Sequence, residues 1–174
     1  GYYLYDDEGV KARRRELIKK GVFNEMLHNR ETAKLLGVTS NGAARGIGYN
    51  REPIVRMSNT FIAPGDYSED EIFEDVKLGV YMLSFTEWNI DDRRYQSKYV
   101  GREAYLIKDG EVTSTLLRRP VLEITTPDLF SSVDACSKTL AFDAATCGKS
   151  DPLQGAPVWL GGPTAVRIRG VRVR

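Results

Sequence analysis

Two short apolar runs separated by a Lys-Xaa-Gly turn set the first pattern along the chain. Ala12-Arg13-Arg14-Arg15-Glu16-Leu17-Ile18 leads into Lys19-Lys20-Gly21, and Val22-Phe23-Asn24-Glu25-Met26-Leu27 returns. Residues 11 to 28 therefore predict a hairpin, with Gly21 supplying the positive φ of a tight turn. The pattern recurs at Ala104-Tyr105-Leu106-Ile107, Lys108-Asp109-Gly110 and Glu111-Val112, which predicts a second hairpin of one sheet. Helical spacing takes over between them. Asn29 is placed to cap a helix over Arg30 to Leu36, with Gly37 ending it. Ser68 and Glu71 form a capping box, Ile72, Phe73, Val76 and Val80 follow at helical spacing, and Gly79 is the stop. A third helix starts at Pro127 behind Thr126, with Phe130 and Val133 inward.

Two stretches show neither period. Residues 38 to 55 are rich in Gly and Asn, and residues 147 to 164 carry Gly148, Pro152, Gly155, Pro157, Gly161, Gly162 and Pro163. Both read as loops. Ala165 to Arg174 alternates as a last strand, with Gly170 shifting its phase as a bulge would. The sum predicts a mainly antiparallel β domain of the α+β type, barrel-like or a sandwich, with two or three peripheral helices.

Composition adds bounds rather than direction. A length of 174 residues implies one domain over residues 1–174. Hydrophobic residues at 41%, charged residues at 28% and a net charge of +1 give no bulk attraction to nucleic acid or to an acidic membrane. No apolar run approaches the ~18 residues of a transmembrane helix. The start, Gly1-Tyr2-Tyr3-Leu4-Tyr5, lacks the basic and apolar regions of a signal peptide. Tyr3 to Asp7 reads as the end of a strand already under way, so a longer parent chain is expected. Two cysteines, Cys136 and Cys147, are too few for a disulfide framework, although one bridge between them stays open. A reducing, cytoplasmic setting fits them.

The chemistry is bounded most firmly by what the chain lacks. A zinc site needs about four ligands from His, Cys, Asp and Glu. With one His, two Cys, no His-Glu-Xaa-Xaa-His and no Cys-Xaa-Xaa-Cys, the chain cannot close an ordinary His/Cys site from its own residues. Asp6, Asp7 and Glu8 cluster, either as a hard-cation site or as a solvated turn. Cys147, alone, reads as a small buried apolar residue or as a ligand. Lys149 favours its thiolate, and Gly148 lets the backbone come close to a neighbour. Cys136 reads as core or near-surface filler, and the lone His28 as a hydrogen-bonded structural residue. No Ser-His-Asp or Cys-His set is present, and Gly42 to Gly48 is not a phosphate loop. That stretch is a mobile surface loop, or a cleft rim where Arg45 or Arg51 meets a substrate carboxylate. Arg13-Arg14-Arg15 and Arg167, Arg169, Arg172 and Arg174 read as solvated strand faces opposite a core, or as phosphate binders.

Six segments in order resemble one family. They are Asp6-Asp7-Glu8-Gly9, Leu17-Ile18-Lys19-Lys20-Gly21-Val22, Arg56-Met57-Ser58-Asn59-Thr60, Pro64-Gly65-Asp66, Ala104-Tyr105-Leu106-Ile107-Lys108-Asp109-Gly110 and Cys147-Gly148-Lys149. Together they resemble the C-terminal domain of the TldD/PmbA metallopeptidases, and the likeness covers nearly the whole chain. Cys147-Gly148-Lys149 matches the TldD-like pattern rather than that of the PmbA-like partners, which lack metal ligands. The resemblance implies a zinc held by two histidines of an upstream His-Glu-Xaa-Xaa-Xaa-His helix and by Cys147. It implies a substrate of unfolded or extended peptide paired with a sheet edge, and a PmbA-like partner or a homo-oligomer, with no nucleic acid and no membrane. Since one ligand does not make a site, the isolated residues 1–174 are expected to fold but to bind no zinc tightly and cleave nothing.

Ser84-Phe85-Thr86-Glu87-Trp88-Asn89-Ile90-Asp91 stands where TldD-like chains often carry a glycine-rich run, and Ser150-Asp151-Pro152-Leu153-Gln154-Gly155 replaces an expected Gly-Gln. Both departures bear on the substrate cleft. A non-catalytic PmbA-like scaffold is the alternative reading, and a nucleic-acid-binding β module a third.

Overall fold

Residues 1–174 are described by a computed structural model with twelve strands and two helices. In chain order the first are β1 (Ile18–Lys19), β2 (Val22–Phe23), α1 (Arg30–Leu35), β3 (Ala44–Arg45), β4 (Ile54–Val55), β5 (Leu78–Ile90) and β6 (Gln96–Lys108). There follow β7 (Glu111–Leu116), β8 (Val121–Thr125), α2 (Thr126–Ser131), β9 (Val133–Cys136), β10 (Leu140–Ser150), β11 (Leu153–Pro163) and β12 (Val166–Ile168). The architecture is mainly antiparallel β with short helices, as the hairpins imply. Its sheets stay open, and none closes into a barrel.

Both Lys-Xaa-Gly turns form. Lys20 and Gly21 take φ of 51° and 76°, and Asp109 and Gly110 take 50° and 86°. Two consecutive positive φ values make the turn whose twist matches its flanking strands. The first helix also forms as the sequence dictates. Asn29 Oδ1 accepts from the Thr32 amide at 2.8 Å, Thr32 Oγ1 accepts from the Asn29 amide at 3.2 Å, and Gly37 follows with φ of 66°. The helix expected from Pro127 is α2, and its cap is Thr125, whose hydroxyl accepts from the Asp128 amide. Val133, expected on that helix, opens β9 instead.

The helix expected after Ser68 does not form. Its capping box does: the Ser68 amide reaches Glu71 at 2.6 Å. The chain then makes three-residue turns, Phe73 to Asp70 and Val76 to Phe73, and enters β5 at Leu78. Val80-Tyr81-Met82-Leu83 is β-branched, aromatic and apolar, and pairing with β6 outweighs the local helical spacing. Gly79 is a strand residue here, where a Cβ would stand 2.7 Å from Val76 Cγ1.

Nor is 147–164 a loop. It lies almost wholly within β10 and β11, which pair with each other as a two-stranded sheet. Alternation is plain once β11 is recognised: Gln154, Ala156 and Val158 are buried, while Leu153, Pro157 and Trp159 are exposed. At Gly161, with φ of 156°, a Cβ would fall 2.0 Å from the Ala141 carbonyl oxygen. The glycine marks a close approach of backbones inside a strand pair. Residues 38 to 55 likewise hold the short β3–β4 pair, Ala44 opposite Val55 and Arg45 opposite Ile54. The last segment forms β12, paired with β9, and Gly170 takes φ of 71° beyond it.

The chain divides into two compact units. The first comprises Gly1–Lys19, Phe23–Ile62 and Ala141–Gly162. Its buried apolar residues are small, Ala33, Ala43, Ala44, Ala156 and Val158, and they share the interior with Asp6, His28, Asn29, Asn41, Arg56 and Gln154. The second comprises Lys20–Val22, Ala63–Leu140 and Pro163–Arg174. It holds the four-stranded sheet in which β5, β7 and β8 all run antiparallel to β6, around Ile72, Val100, Ala104, Ile107 and Ile124.

Candidate functional site

Cys147 lies near the end of β10 in the first unit, half-buried and in no disulfide. It is on a strand, not the expected loop, so its position is set by a ladder rather than by Gly and Pro. The space around Gly148 is open, since a Cβ there would meet nothing within 4 Å. The expected close backbone approach at Gly148 is therefore absent.

What fixes the β10–β11 hairpin is the segment from Glu52 to Asn59. The Arg56 guanidinium donates from Nη2 to the Cys147 carbonyl oxygen. Gln154 Nε2 donates to the Glu52 carbonyl at 3.0 Å, and the Trp159 amide donates to Asn59 Oδ1 at 2.9 Å. Arg45 donates to the Met57 carbonyl at 2.8 Å and to the Pro157 carbonyl at 3.2 Å. Arg15 closes the layer, bonding the Asn41 and Gly42 carbonyls and Ser58 Oγ at 2.7 Å. The Arg56-Met57-Ser58-Asn59 motif is thus a clamp on the strand pair that carries Cys147. Arg45, a candidate for a substrate carboxylate, is committed to two main-chain oxygens and stacks over Tyr3.

Among the arginines and lysines, Arg56 is the one that is buried. It is 7% exposed, forms no ion pair, and its Nε is buried with no hydrogen-bond partner. A buried donor left without a partner costs about 1–3 kcal/mol. By contrast, Arg13 pairs with Glu25 at 2.6 Å, Arg167 and Arg169 pair with Asp134 at 2.9 and 2.7 Å, and Arg174 stands 3.6 Å from Glu123. The arginine-rich runs are in large part matched by the chain's own carboxylates. Arg56 opens one of the six family segments, and nothing in the sequence around it gives it a role. Its link to Cys147 spans 91 residues, and no local pattern signals such a pair.

The acidic cluster has a structural job. Asp6 is buried, accepting from the Glu8 and Val10 amides through Oδ1 and from the Ala44 amide through Oδ2. Asp7 accepts from the Gly46 amide at 2.6 Å, and Glu8 from the Arg30 amide at the start of α1. These carboxylates satisfy backbone donors, and no group of three or more potential metal ligands forms among them. His28 is buried beside α1, with its amide on Asn41 Oδ1 and Nδ1 3.4 Å from Thr32 Oγ1. Cys136 belongs to the second unit; burial, then the nearby Asp134 charge, pushes its thiol pKa up. The Pro64-Gly65-Asp66 motif packs on it: a Cβ at Gly65 would lie 2.3 Å from the Cys136 carbonyl oxygen.

Two hollows, one walled by Asp91, Lys98 and Glu123, the other by Phe73, Tyr81, Leu106 and Leu122, are lined by residues of the second unit. Nowhere do three or more His, Cys, Asp or Glu side chains gather as a metal site. Cys147 is the softest donor this unit offers, and a zinc ion bound to it would find no second and third ligand gathered beside it. The remaining ligands would have to come from outside these residues.

Comparison with known proteins agrees with the six motifs. A family model described as the PmbA/TldA metallopeptidase C-terminal domain matches residues 1–174. A metalloprotease of Methanocaldococcus jannaschii is 39% identical over 93% of this chain and 35% of its own length. A zinc metalloprotease TldD homolog of Saccharolobus solfataricus is 28% identical over 97% of this chain and 37% of its own length. The chain thus spans about a third of the length of these curated relatives. Among solved structures, TldE from Thermococcus kodakarensis superposes with a TM-score of 0.75 at 18% identity, covering 98% of this chain and 36% of that one. A putative modulator of DNA gyrase from Thermotoga maritima gives 0.69 at 19% identity, covering 99% and 35%. Those two likenesses concern the fold. By motif order, by fold and by the match along its whole length, this chain belongs to the PmbA/TldA metallopeptidase family, as its C-terminal domain.

Proposed function

We propose that these residues form the C-terminal domain of a TldD-like zinc-dependent peptidase that cleaves unfolded or extended peptides. Cys147 is the one zinc ligand this chain supplies, and an upstream part of the longer protein brings the others. The observation that carries this reading is a half-buried thiol, outside any disulfide, on a strand that Arg56, Gln154 and Asn59 clamp through its hairpin. When bound, zinc would supply Lewis acidity toward the scissile carbonyl. Cys147 contributes charge and a fixed sulfur position. The Glu52–Asn59 segment holds that position. β10 and β11 have no strand partner other than each other, so an extended peptide has a sheet edge to add to. Main-chain pairing of this kind tolerates many side chains and requires an unfolded substrate.

The setting is the reducing cytoplasm, which keeps Cys147 a thiol, and the partner subunit is a PmbA-like chain or a second copy. The test is zinc content of the full-length protein beside its Cys147→Ser variant. About one zinc per chain, lost or weakened at least tenfold in the variant, is expected for a catalytic zinc site with three protein ligands. Zinc absent from both, or unchanged by the substitution, moves the protein to a non-catalytic scaffolding role.

A further inference from the structure

Arg56 is a buried cation without a carboxylate, and one of its donors has no acceptor. Its one side-chain hydrogen bond goes to the carbonyl oxygen of Cys147, from Nη2. The Arg56 backbone is itself fixed, its amide donating to the Ala43 carbonyl at 2.9 Å in the fully buried Ala43–Ala44 segment. The guanidinium therefore links a rigid part of the first unit to the main chain of the residue that presents the thiol. Had the interior required packing alone, an apolar side chain of similar length would fill this place without an orphaned donor. Buried groups that break the satisfaction rule concentrate where position matters more than stability.

We propose that Arg56 is a positioning residue for Cys147. By holding the Cys147 carbonyl it fixes the strand there and so sets where Sγ is presented to the metal. The inference rests on the metal-ligand reading of Cys147, and it adds the residue that makes that ligand preorganised. Groups that hold a ligand in place commonly alter metal affinity by 10–100-fold.

The test uses full-length protein carrying Arg56→Met, Arg56→Lys, Arg13→Met or Cys147→Ser, with zinc affinity measured by chelator competition and unfolding measured on the apo protein. Methionine removes the buried charge and the orphaned Nε while keeping the volume, and this relief offsets the bond lost at the Cys147 carbonyl, so apo stability is expected to change little. Zinc affinity is expected to fall about 10–100-fold. Lysine keeps one donor able to reach the Cys147 carbonyl and is expected to restore part of the affinity. Arg13→Met, which breaks the ion pair with Glu25, is expected to leave zinc affinity where it was. Unchanged affinity in Arg56→Met overturns the inference while Cys147→Ser still weakens zinc. Affinity that falls only in step with apo stability, in both Arg56 variants, overturns it as well, because that is what a purely structural role gives. If Cys147→Ser leaves zinc unaffected, the ligand reading fails first and the positioning role with it.

Discussion

Asn41 is 2% exposed, and both ends of its amide are used. Oδ1 accepts from the His28 amide at 2.8 Å, and Nδ2 donates to the Met26 carbonyl at 2.7 Å. It thereby joins the segment before α1 to the chain beyond it, inside a unit whose apolar core is mostly alanine. Polar satisfaction carries more of the specificity here than area does. Asn41→Leu keeps the volume and leaves a buried amide and a carbonyl without partners. A loss of about 3 kcal/mol is expected, taking ~1–3 kcal/mol for each orphaned group. Denaturant unfolding of the two proteins measures it, and a difference below roughly 0.5 kcal/mol would mean water replaces both bonds. Such residues are hidden in the sequence for a physical reason. Asn41 falls in the Gly- and Asn-rich stretch that reads as a loop, and its partners lie 13 and 15 positions away. Cys147 and Arg56 each stand in one of the six motifs, but the contact between them is out of reach of any spacing rule.

At the scale of elements, β9 and β12 meet through a fork. Arg167 donates to both Asp134 oxygens, Nε at 2.9 Å and Nη2 at 3.0 Å, and Arg169 Nε adds a bond at 2.7 Å. Burial pushes the Asp134 carboxyl up, but hydrogen bonds from Arg167 and then Arg169 pull it further down, and the net shift is downward. A depressed folded-state pKa stabilises the fold above the unfolded carboxylate value of about 3.9, and that contribution is lost as pH falls through the lower folded value. Asp134→Asn is therefore expected to lower stability by about 1–2 kcal/mol at neutral pH, discounted because Asp134 is about a third exposed. The gap between the two proteins should shrink as pH drops below about 4. Unfolding curves across that range check it, and a gap that stays constant into acid would detach the effect from the carboxylate. The elements themselves were unevenly legible. Turns with Lys-Xaa-Gly and the Asn29 cap are local signals and formed where the sequence put them. The segment from Ile72 to Val80 has helical spacing and strand composition at once, and the pairing with β6 that decides between them is non-local. Gly and Pro hid β10–β11 because Gly161 serves a close backbone approach, which looks like loop composition until its neighbour is known.

For the whole molecule, the decisive quantity is how many metal donors these residues bring together. The chain has one His and two Cys, and no cluster of three potential ligands forms anywhere in the structure. His28 is buried in the hydrogen-bonded cap of α1, and Asp6 is occupied by three backbone amides. Cys136 belongs to the second unit, which leaves Cys147 as a lone thiol, and one ligand does not compete with water for zinc at the affinities of a closed site. Residues 1–174 alone are therefore expected to fold without zinc and to hold far less than one zinc per chain after dialysis. The thermal midpoint should not move with ~10 µM zinc, because a ligand well below its dissociation constant adds almost nothing to stability. Calorimetric melting with and without zinc, beside Cys147→Ser, decides the point. A rise in midpoint that the substitution removes would show that carboxylates of this chain complete a site around Cys147. The division of labour proposed between these residues and an upstream part would then have to be redrawn. A flat response in both means that these residues complete no zinc site by themselves, and the zinc content of the full-length protein beside its Cys147→Ser variant then decides whether the thiol is a ligand.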